Sequence, residues 1–324
     1  MNALELRWIF PAIAILCVEY LVALLIGLKV GFSYEIPFRS FMIAGATIAA
    51  AGLCGAAVWQ LFRLWREGEE HPSRHILARL PWALPIGIML SAFQGAVLQW
   101  TKVMMPLVAG FWADPMLASF DHLLFGQDPW HITHSLFDQL TPLIDRFYAV
   151  WMPITLAFKF VLYLLPPSTR KAQALIAYFL IMGCGALGQY LGASAGPIFY
   201  ELLQLGDRFK DIPIMPWVAA GRDYLWSDYL NGGGHVGAGI SAMPSMHVAI
   251  ALWMALAARA FLPRLQIIGW TYFAVVLVGS VHLGWHYAVD GIVSCAFVLV
   301  AWMIAAVAAN PGWRLSTRSR SAVG

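Results

Sequence analysis

About eight stretches of 18 or more mostly apolar residues decide what this chain can fold into. A helical run of that length with few charges matches the hydrocarbon thickness of a bilayer, and a helix satisfies its backbone donors and acceptors within the segment. The runs are residues 9–30, 38–62, 80–104, 148–165, 172–191, 245–262, 266–283 and 287–309. Charged residues make up only 11% of the 324, against about 25% in soluble domains, which excludes a soluble class. The expected fold class is all-α: a polytopic transmembrane helix bundle of about eight spans, with interfacial helices and a long extracytoplasmic loop. The first run could pass for a secretion signal, but its apolar stretch is long and "VGFSYEIP" offers no small-residue cleavage site, so it is read as a retained span.

Orientation follows from the basic residues, which are in excess on short cytoplasmic loops. With both termini cytoplasmic, 12 of the 20 basic residues fall inside: Arg7, Arg63, Arg66, Arg74, Arg79, Arg170, Lys171, Arg259, Arg264, Arg314, Arg318 and Arg320. The long segments 106–147 and 192–244 then lie outside. The expectation is a multi-pass protein of the cytoplasmic or plasma membrane. A net charge of +3 with no basic, aromatic-interleaved patch gives no sign of nucleic acid as a partner. Cys17, Cys54, Cys184 and Cys295 fall inside predicted spans without metal-ligand spacing and read as packing residues.

The first outer segment, "FWADPMLASFDHLLFGQDPWHITHSLFDQLTPLIDRFY", alternates apolar and polar residues at helical spacing, punctuated by Pro115, Gly126 and Pro129, and predicts short helices lying in the interface. The second ends in a glycine-rich run that leads into "SAMPSMHVAIALWMALA" at residues 241–257. Such a loop over a helix mouth suits substrate gating. Gly188, Gly192 and Gly196 recur every fourth residue at the end of the fifth span, a spacing that lets helix backbones approach closely. Two buried-depth charges, Glu19 and Lys159, are expected to face the bundle interior and find partners.

Pro244, Ser245 and His247 stand at the head of an apolar helix. About forty residues later, "GSVHLGWHYAVDGIVS" carries His286 and Asp290 four apart at the start of the last span. Residues at i and i+4 share a helix face, so the carboxylate can orient one ring nitrogen and leave the other aimed outward as a nucleophile. In the predicted topology both histidines reach the same membrane face. The chemistry this suits is phosphoryl transfer, with one histidine attacking phosphorus and the second protonating the leaving oxygen. Ser245, Met246 and His247 form the first turn of a helix, whose free N–H groups and dipole favour a phosphate, and Pro244 suits a helix start.

These residues resemble the type 2 phosphatidic acid phosphatase superfamily, which also includes inositol phosphorylceramide synthases, sphingomyelin synthases and vanadium haloperoxidases. "MPSMHV" is similar to its Pro-Ser-x-His motif and "SVHLGWHYAVD" to its motif ending in His-x-x-x-Asp. The resemblance implies that His286 is the nucleophile, Asp290 its orienting carboxylate, His247 the general acid and later base, and Ser245 a phosphate ligand. The departures are specific. Gly279 and Ser280 stand where the family has Ser-Arg, and Gln189, Gly196 and Pro197 where it has Lys and Arg-Pro, so both basic phosphate clamps are missing. Met246 replaces the usual glycine. Those losses, with "FDHLLFGQDP" and "LTPLIDRFYAVWMP", bring the chain closest to the inositol phosphorylceramide synthase-like branch.

Three regions are expected: an N-terminal three-helix membrane region at 1–105 that the resemblance leaves unexplained, a catalytic core with its interfacial segment at 106–310, and a basic cytoplasmic tail at 311–324. The resemblance implies an integral-membrane lipid phosphotransferase or phosphatase working through a phosphohistidine, with a membrane lipid as substrate and no metal or other cofactor. Transfer to a lipid alcohol, hydrolysis of a polyprenyl diphosphate or lipid monophosphate, and a transporter that has lost catalysis stay open, as does haem or redox-metal binding by the three histidines. Some group must still neutralise the phosphate. The candidates are Arg146, Arg208, Lys210, Arg222 and His282, the last placed one helical turn before His286 if the helix is regular there.

Overall fold

The computed structural model describes residues 3–32, 38–51 and 82–310. The second half of the predicted second span, the "RLWREGEEHPSRH" loop, Cys54 and the tail at 311–324 lie outside the described residues. Everything regular among the described residues is helical. In chain order the helices are α1 (Ala3–Val30), α2 (Phe38–Ala51), α3 (Ala83–Ala109), α4 (Asp114–Phe125), α5 (Pro129–Phe137), α6 (Thr141–Ala149), α7 (Trp151–Leu164), α8 (Thr169–Gly188), α9 (Pro216–Leu230), α10 (Met246–Phe261), α11 (Gln266–His282) and α12 (Ala288–Ala309).

Four of them, α1, α3, α8 and α12, are long and apolar enough to cross a membrane. A fifth span results if Pro129–Ala149 and Trp151–Leu164, bent by 46°, count as one. Helices α10 and α11 are apolar but hold only 16 and 17 residues. They are shorter than the predicted runs because Ser245 caps α10 from outside the helix and α11 stops at His282.

Burial follows the sequence pattern of each helix. On α1 the buried residues Glu5, Trp8, Ile9, Ala12, Leu16, Glu19, Ala23 and Gly27 recur at three- and four-residue steps, a single stripe that packs inward while the other side carries exposed Phe10, Val18, Leu21, Leu25 and Leu28. Helix α10 is buried continuously from Val248 to Ala255, and α8 on most of its surface, so these two form the centre of the bundle. Several charged residues inside find polar partners. Lys171 Nζ meets Glu5 Oε1 at 2.7 Å and the Tyr163 carbonyl at 2.8 Å. Glu19 accepts from Gln94 at 3.3 Å rather than from Lys159, which donates to the Tyr178 hydroxyl at 3.0 Å.

The predicted interfacial segment forms α4 to α6. Proline occupies the first turn of each of these three helices, where its missing N–H costs nothing, and Gly126 closes α4 at φ +72°. The amphipathicity is inverted relative to a soluble protein. Helix α4 turns Asp114 and Asp121 inward and leaves Met116, Phe120, Leu123 and Leu124 exposed, with Leu123 at 77%. An apolar outer face over a polar inner one is the arrangement that acyl chains, not water, stabilise.

The glycine repeat has a different use from the one its spacing predicts. Helix α8 ends at Gly188, so Gly192 and Gly196 lie in the following loop. A Cβ on Gly192 would meet Met243 Cγ at 2.7 Å, and one on Gly196, at φ +101°, would run into the Trp285 carbonyl. These glycines admit the chain leading into α10 and α12 instead of a neighbouring helix.

Candidate active site

The end of α11, the start of α12 and the start of α10 meet at one end of the bundle. Helix α11 stops at His282, the chain turns at Gly284 (φ +73°), and α12 restarts at Ala288 with Tyr287 as its N-cap. His286 therefore stands just before the helix, not within it, and the predicted regular spacing of His282 and His286 on one helix is broken. Asp290 is the third residue of α12, where its Oδ2 accepts from the Tyr287 N–H at 3.0 Å in a capping box.

His286 is buried, and two acceptors face its Nδ1: the Ala242 carbonyl at 2.9 Å and Asp290 Oδ2 at 3.5 Å. A carbonyl oxygen cannot donate, so Nδ1 carries a proton, and in the neutral ring Nε2 holds the lone pair. That Nε2 lies 3.5 Å from His247 Nδ1. The His247 ring is stacked on Tyr148 at 4.7 Å, and its backbone carbonyl accepts from Trp151 Nε1 at 3.2 Å. Ser245 caps α10, its Oγ accepting from the Val248 N–H at 3.4 Å. The Met246 and His247 N–H groups are then the remaining open donors of the first turn, while the Met246 side chain packs against Gly185.

Two aspartates of α4, seven residues apart and so on one face, hold this assembly together. Asp114 accepts from the Ala195 and Gly196 N–H groups at 2.8 and 2.9 Å and from the Tyr287 hydroxyl at 2.8 Å. Asp121 takes the Ala288 and Val289 N–H groups at 2.6 and 2.9 Å, capping α12 from a different element. Burial raises each carboxyl to about 6 against the pull of these donors, which lower it.

A family model described as PAP2 superfamily matches residues 116–304, more than half of the chain. The chain belongs to the PAP2 superfamily. The match runs from α4 through most of α12 and so encloses Ser245, His247, His286 and Asp290. Membership points to phosphatase or phosphotransferase chemistry, and several helices are long and apolar enough to span a membrane, consistent with an integral membrane protein. No curated protein and no solved structure matches the chain.

Within this PAP2 superfamily chain the basic residues singled out from sequence are engaged elsewhere. Arg208 forms a two-pronged pair with Asp128, Nε to Oδ2 at 2.9 Å, and also donates to the Ala118 carbonyl at 2.9 Å. That partner holds Asp128 below its ordinary value even though burial pulls the other way. Lys210 pairs with Asp207 at 3.0 Å and Arg222 with its neighbour Asp223 at 2.8 Å. Arg146 is exposed on α6. His282 is buried with its ring stacked on His134 at 3.8 Å and its Nε2 donating to Thr141 Oγ1 at 2.8 Å, because that hydroxyl gives its own proton to the Asp138 carbonyl. None of these five makes a hydrogen bond or ion pair with His247 or His286 among the described residues.

At the family's lysine position, Gln189 is buried and donates to Thr101 Oγ1 at 3.3 Å. Gly196, at the arginine position, has the Trp285 backbone against its Cα, so no side chain fits. Sequence reading also missed the Ala242 carbonyl and the α4 aspartates. The first has no residue-type signal. The aspartates had one, their seven-residue spacing in an otherwise apolar helix.

Proposed function

We propose that this protein is an integral-membrane enzyme that moves a phosphoryl or phospho-head group from a lipid phosphate ester to a lipid alcohol or to water through a phosphohistidine on His286. The observation that carries the reading is the His286 ring itself: Nδ1 saturated by two acceptors and Nε2 facing the second histidine at 3.5 Å. The Nε2 lone pair attacks phosphorus as the bond to the leaving oxygen breaks, and protonated His247 supplies the proton to that oxygen. Neutral His247 then takes the proton of the incoming hydroxyl, whose oxygen attacks phosphorus and releases Nε2. A phosphoryl group is wider than the gap between the rings, so substrate has to part them. Asp290 stabilises the positive charge that His286 acquires, and the first turn of α10 offers Ser245 and open N–H groups to the phosphate oxygens.

The proposal includes eight spans, both termini cytoplasmic and the site extracytoplasmic, on the strength of the basic-residue distribution. It also keeps the chain nearest the inositol phosphorylceramide synthase-like branch, since the missing clamps suit a phosphodiester donor better than a monoester. The test is incubation of the purified protein with phosphodiester lipids, lipid monophosphates and polyprenyl diphosphates, with and without diacylglycerol or ceramide, and mass spectrometry of products and of the protein. A phospho-adduct on His286, absent from His286→Ala, is expected. His247→Ala should slow turnover by roughly 10²- to 10⁴-fold, most for poor leaving groups. Undiminished activity in both variants overturns the reading.

A further inference from the structure

The proposed phosphoryl-transfer site has two imidazoles and a helix N-terminus but lacks a fixed cation among the residues described so far. One lies close by in a part of the chain that the family match does not reach. Lys102 stands in the last third of α3, fourteen residues before the matched region begins. It is partly buried, and it takes part in no hydrogen bond or ion pair among the described residues. Its charge lies within electrostatic reach of His247.

The surroundings of Lys102 tie it to the mouth of α10. Next to it, Thr101 receives Gln189 Nε2 at 3.3 Å and the Tyr190 hydroxyl on its carbonyl at 2.6 Å, joining α3 to the end of α8. One helical turn earlier, Gln99 donates to the His235 carbonyl at 2.7 Å and accepts from the Gly237 N–H at 2.7 Å. These bonds lay the glycine-rich loop across α3. The loop passes directly over Lys102: Gly239, at φ +98°, comes so near that a Cβ there would sit 2.7 Å from Lys102 Cβ. Three residues on, Ala242 accepts from His286 Nδ1; six on, Ser245 caps α10.

We propose that the Lys102 ammonium is the cation that holds the substrate's phosphate in this site. The inference rests on the phosphoryl-transfer reading above. A lysine at membrane depth without a counter-ion is costly, and an anionic ligand is the partner that offsets the cost. Lysine serves phosphate as a point charge and needs no fork geometry. The other cations near the extracytoplasmic end that have partners, Arg208, Lys210 and Arg222, are already neutralised by aspartates. The loop explains why the contribution comes from α3: the Gly239 crossing fixes the Lys102 stem against the segment that delivers Ser245 and His247.

The experiment uses the full chain, purified in detergent, with orthovanadate as the probe, its affinity read by calorimetry and folding by thermal unfolding without vanadate. Lys102→Met and Lys102→Gln should each weaken vanadate binding roughly 10- to 100-fold, the loss expected for one hydrogen bond to a charged group, with the unfolding temperature unchanged. Lys102→Arg should bind within a few-fold of the unsubstituted chain. Loss of affinity in both folded neutral variants, with rescue by arginine, supports the assignment. Unchanged affinity in either one overturns it while leaving the phosphoryl-transfer reading intact. Failure of the unsubstituted chain to bind vanadate at all overturns both.

Discussion

The His286 ring is held through a single nitrogen by two acceptors of different kind, and they contribute at different stages. The Ala242 carbonyl is nearer, at 2.9 Å, and suffices to fix the Nδ1–H tautomer. Asp290, at 3.5 Å, brings a negative charge, which matters once the ring becomes positive on bonding to phosphorus. A triad in which the carboxylate is the sole orienting group loses about 10⁴ in kcat when Asp becomes Asn, because the wrong tautomer is installed. Here the carbonyl keeps the tautomer, so Asp290→Asn should lower kcat by only about 10- to 100-fold, the share of the charge alone, with KM and unfolding temperature close to those of the unsubstituted protein. Steady-state kinetics on the substrate found by the lipid panel checks it, and a loss near 10⁴ would show that Ala242 orients nothing. The two histidines and the aspartate were legible in the sequence because their residue types and spacing are chemical signals. The Ala242 carbonyl was not, since a backbone oxygen has no identity in sequence, and Lys102, the proposed phosphate cation, carries no motif: only the Gly239 crossing shows what lies over it.

At the scale of elements, helices α4 to α6 act as a set of external caps. Asp121 on α4 closes the N-terminus of α12, Asp145 on α6 accepts from the Trp217 and Val218 N–H groups at the start of α9, and Asp114 binds the loop at Ala195 and Gly196. Helices α4 to α6 were legible as short helices from their alternation, Pro115, Gly126 and Pro129. Their polar faces were not assignable, since the partners lie 72 to 173 residues away in the chain. The capping carboxylates have a consequence for pH. Burial raises folded Asp121 to about 6 from an ordinary 3.8, so the folded state holds its proton more tightly than the unfolded one. The stabilisation this gives is complete below 3.8 and is lost as pH rises through 6, a swing of about 3 kcal/mol for a shift of two units. Asp121→Asn cannot ionise. The unfolding-temperature difference, unsubstituted minus Asp121→Asn, should fall as pH goes from 4 to 7; a difference that is flat or grows with pH would mean that the helix-capping donors outweigh burial.

Over the whole molecule, the two ends of the bundle differ in charge and in contents. Arg170, at the start of α8, donates to the Ala260 carbonyl at 3.5 Å near the end of α10, so Arg170, Arg259 and Arg264 share one end. Glu5 and Lys171 are paired there too. At the other end α3 and α8 terminate, α10 and α12 begin, and His247 meets His286. The helix lengths alone give four or five spans, and the arginine-rich end is the one that the proposed topology places in the cytoplasm. Residues 52–81, which hold Arg63, Arg66, Arg74 and Arg79 of the predicted cytoplasmic set, fall outside the described residues. Sidedness therefore turns on the described arginines and can be tested on them. In a chain with Cys17, Cys54, Cys184 and Cys295 replaced by alanine or serine, Asn231→Cys, exposed in the glycine-rich loop, should react with a membrane-impermeant maleimide in intact cells. Arg264→Cys, in the turn between α10 and α11, should react only after the membrane is opened. The reverse pattern would put the histidine pair in the cytoplasm, where a donor lipid of the inner leaflet, rather than the outer, would have to supply the phosphate.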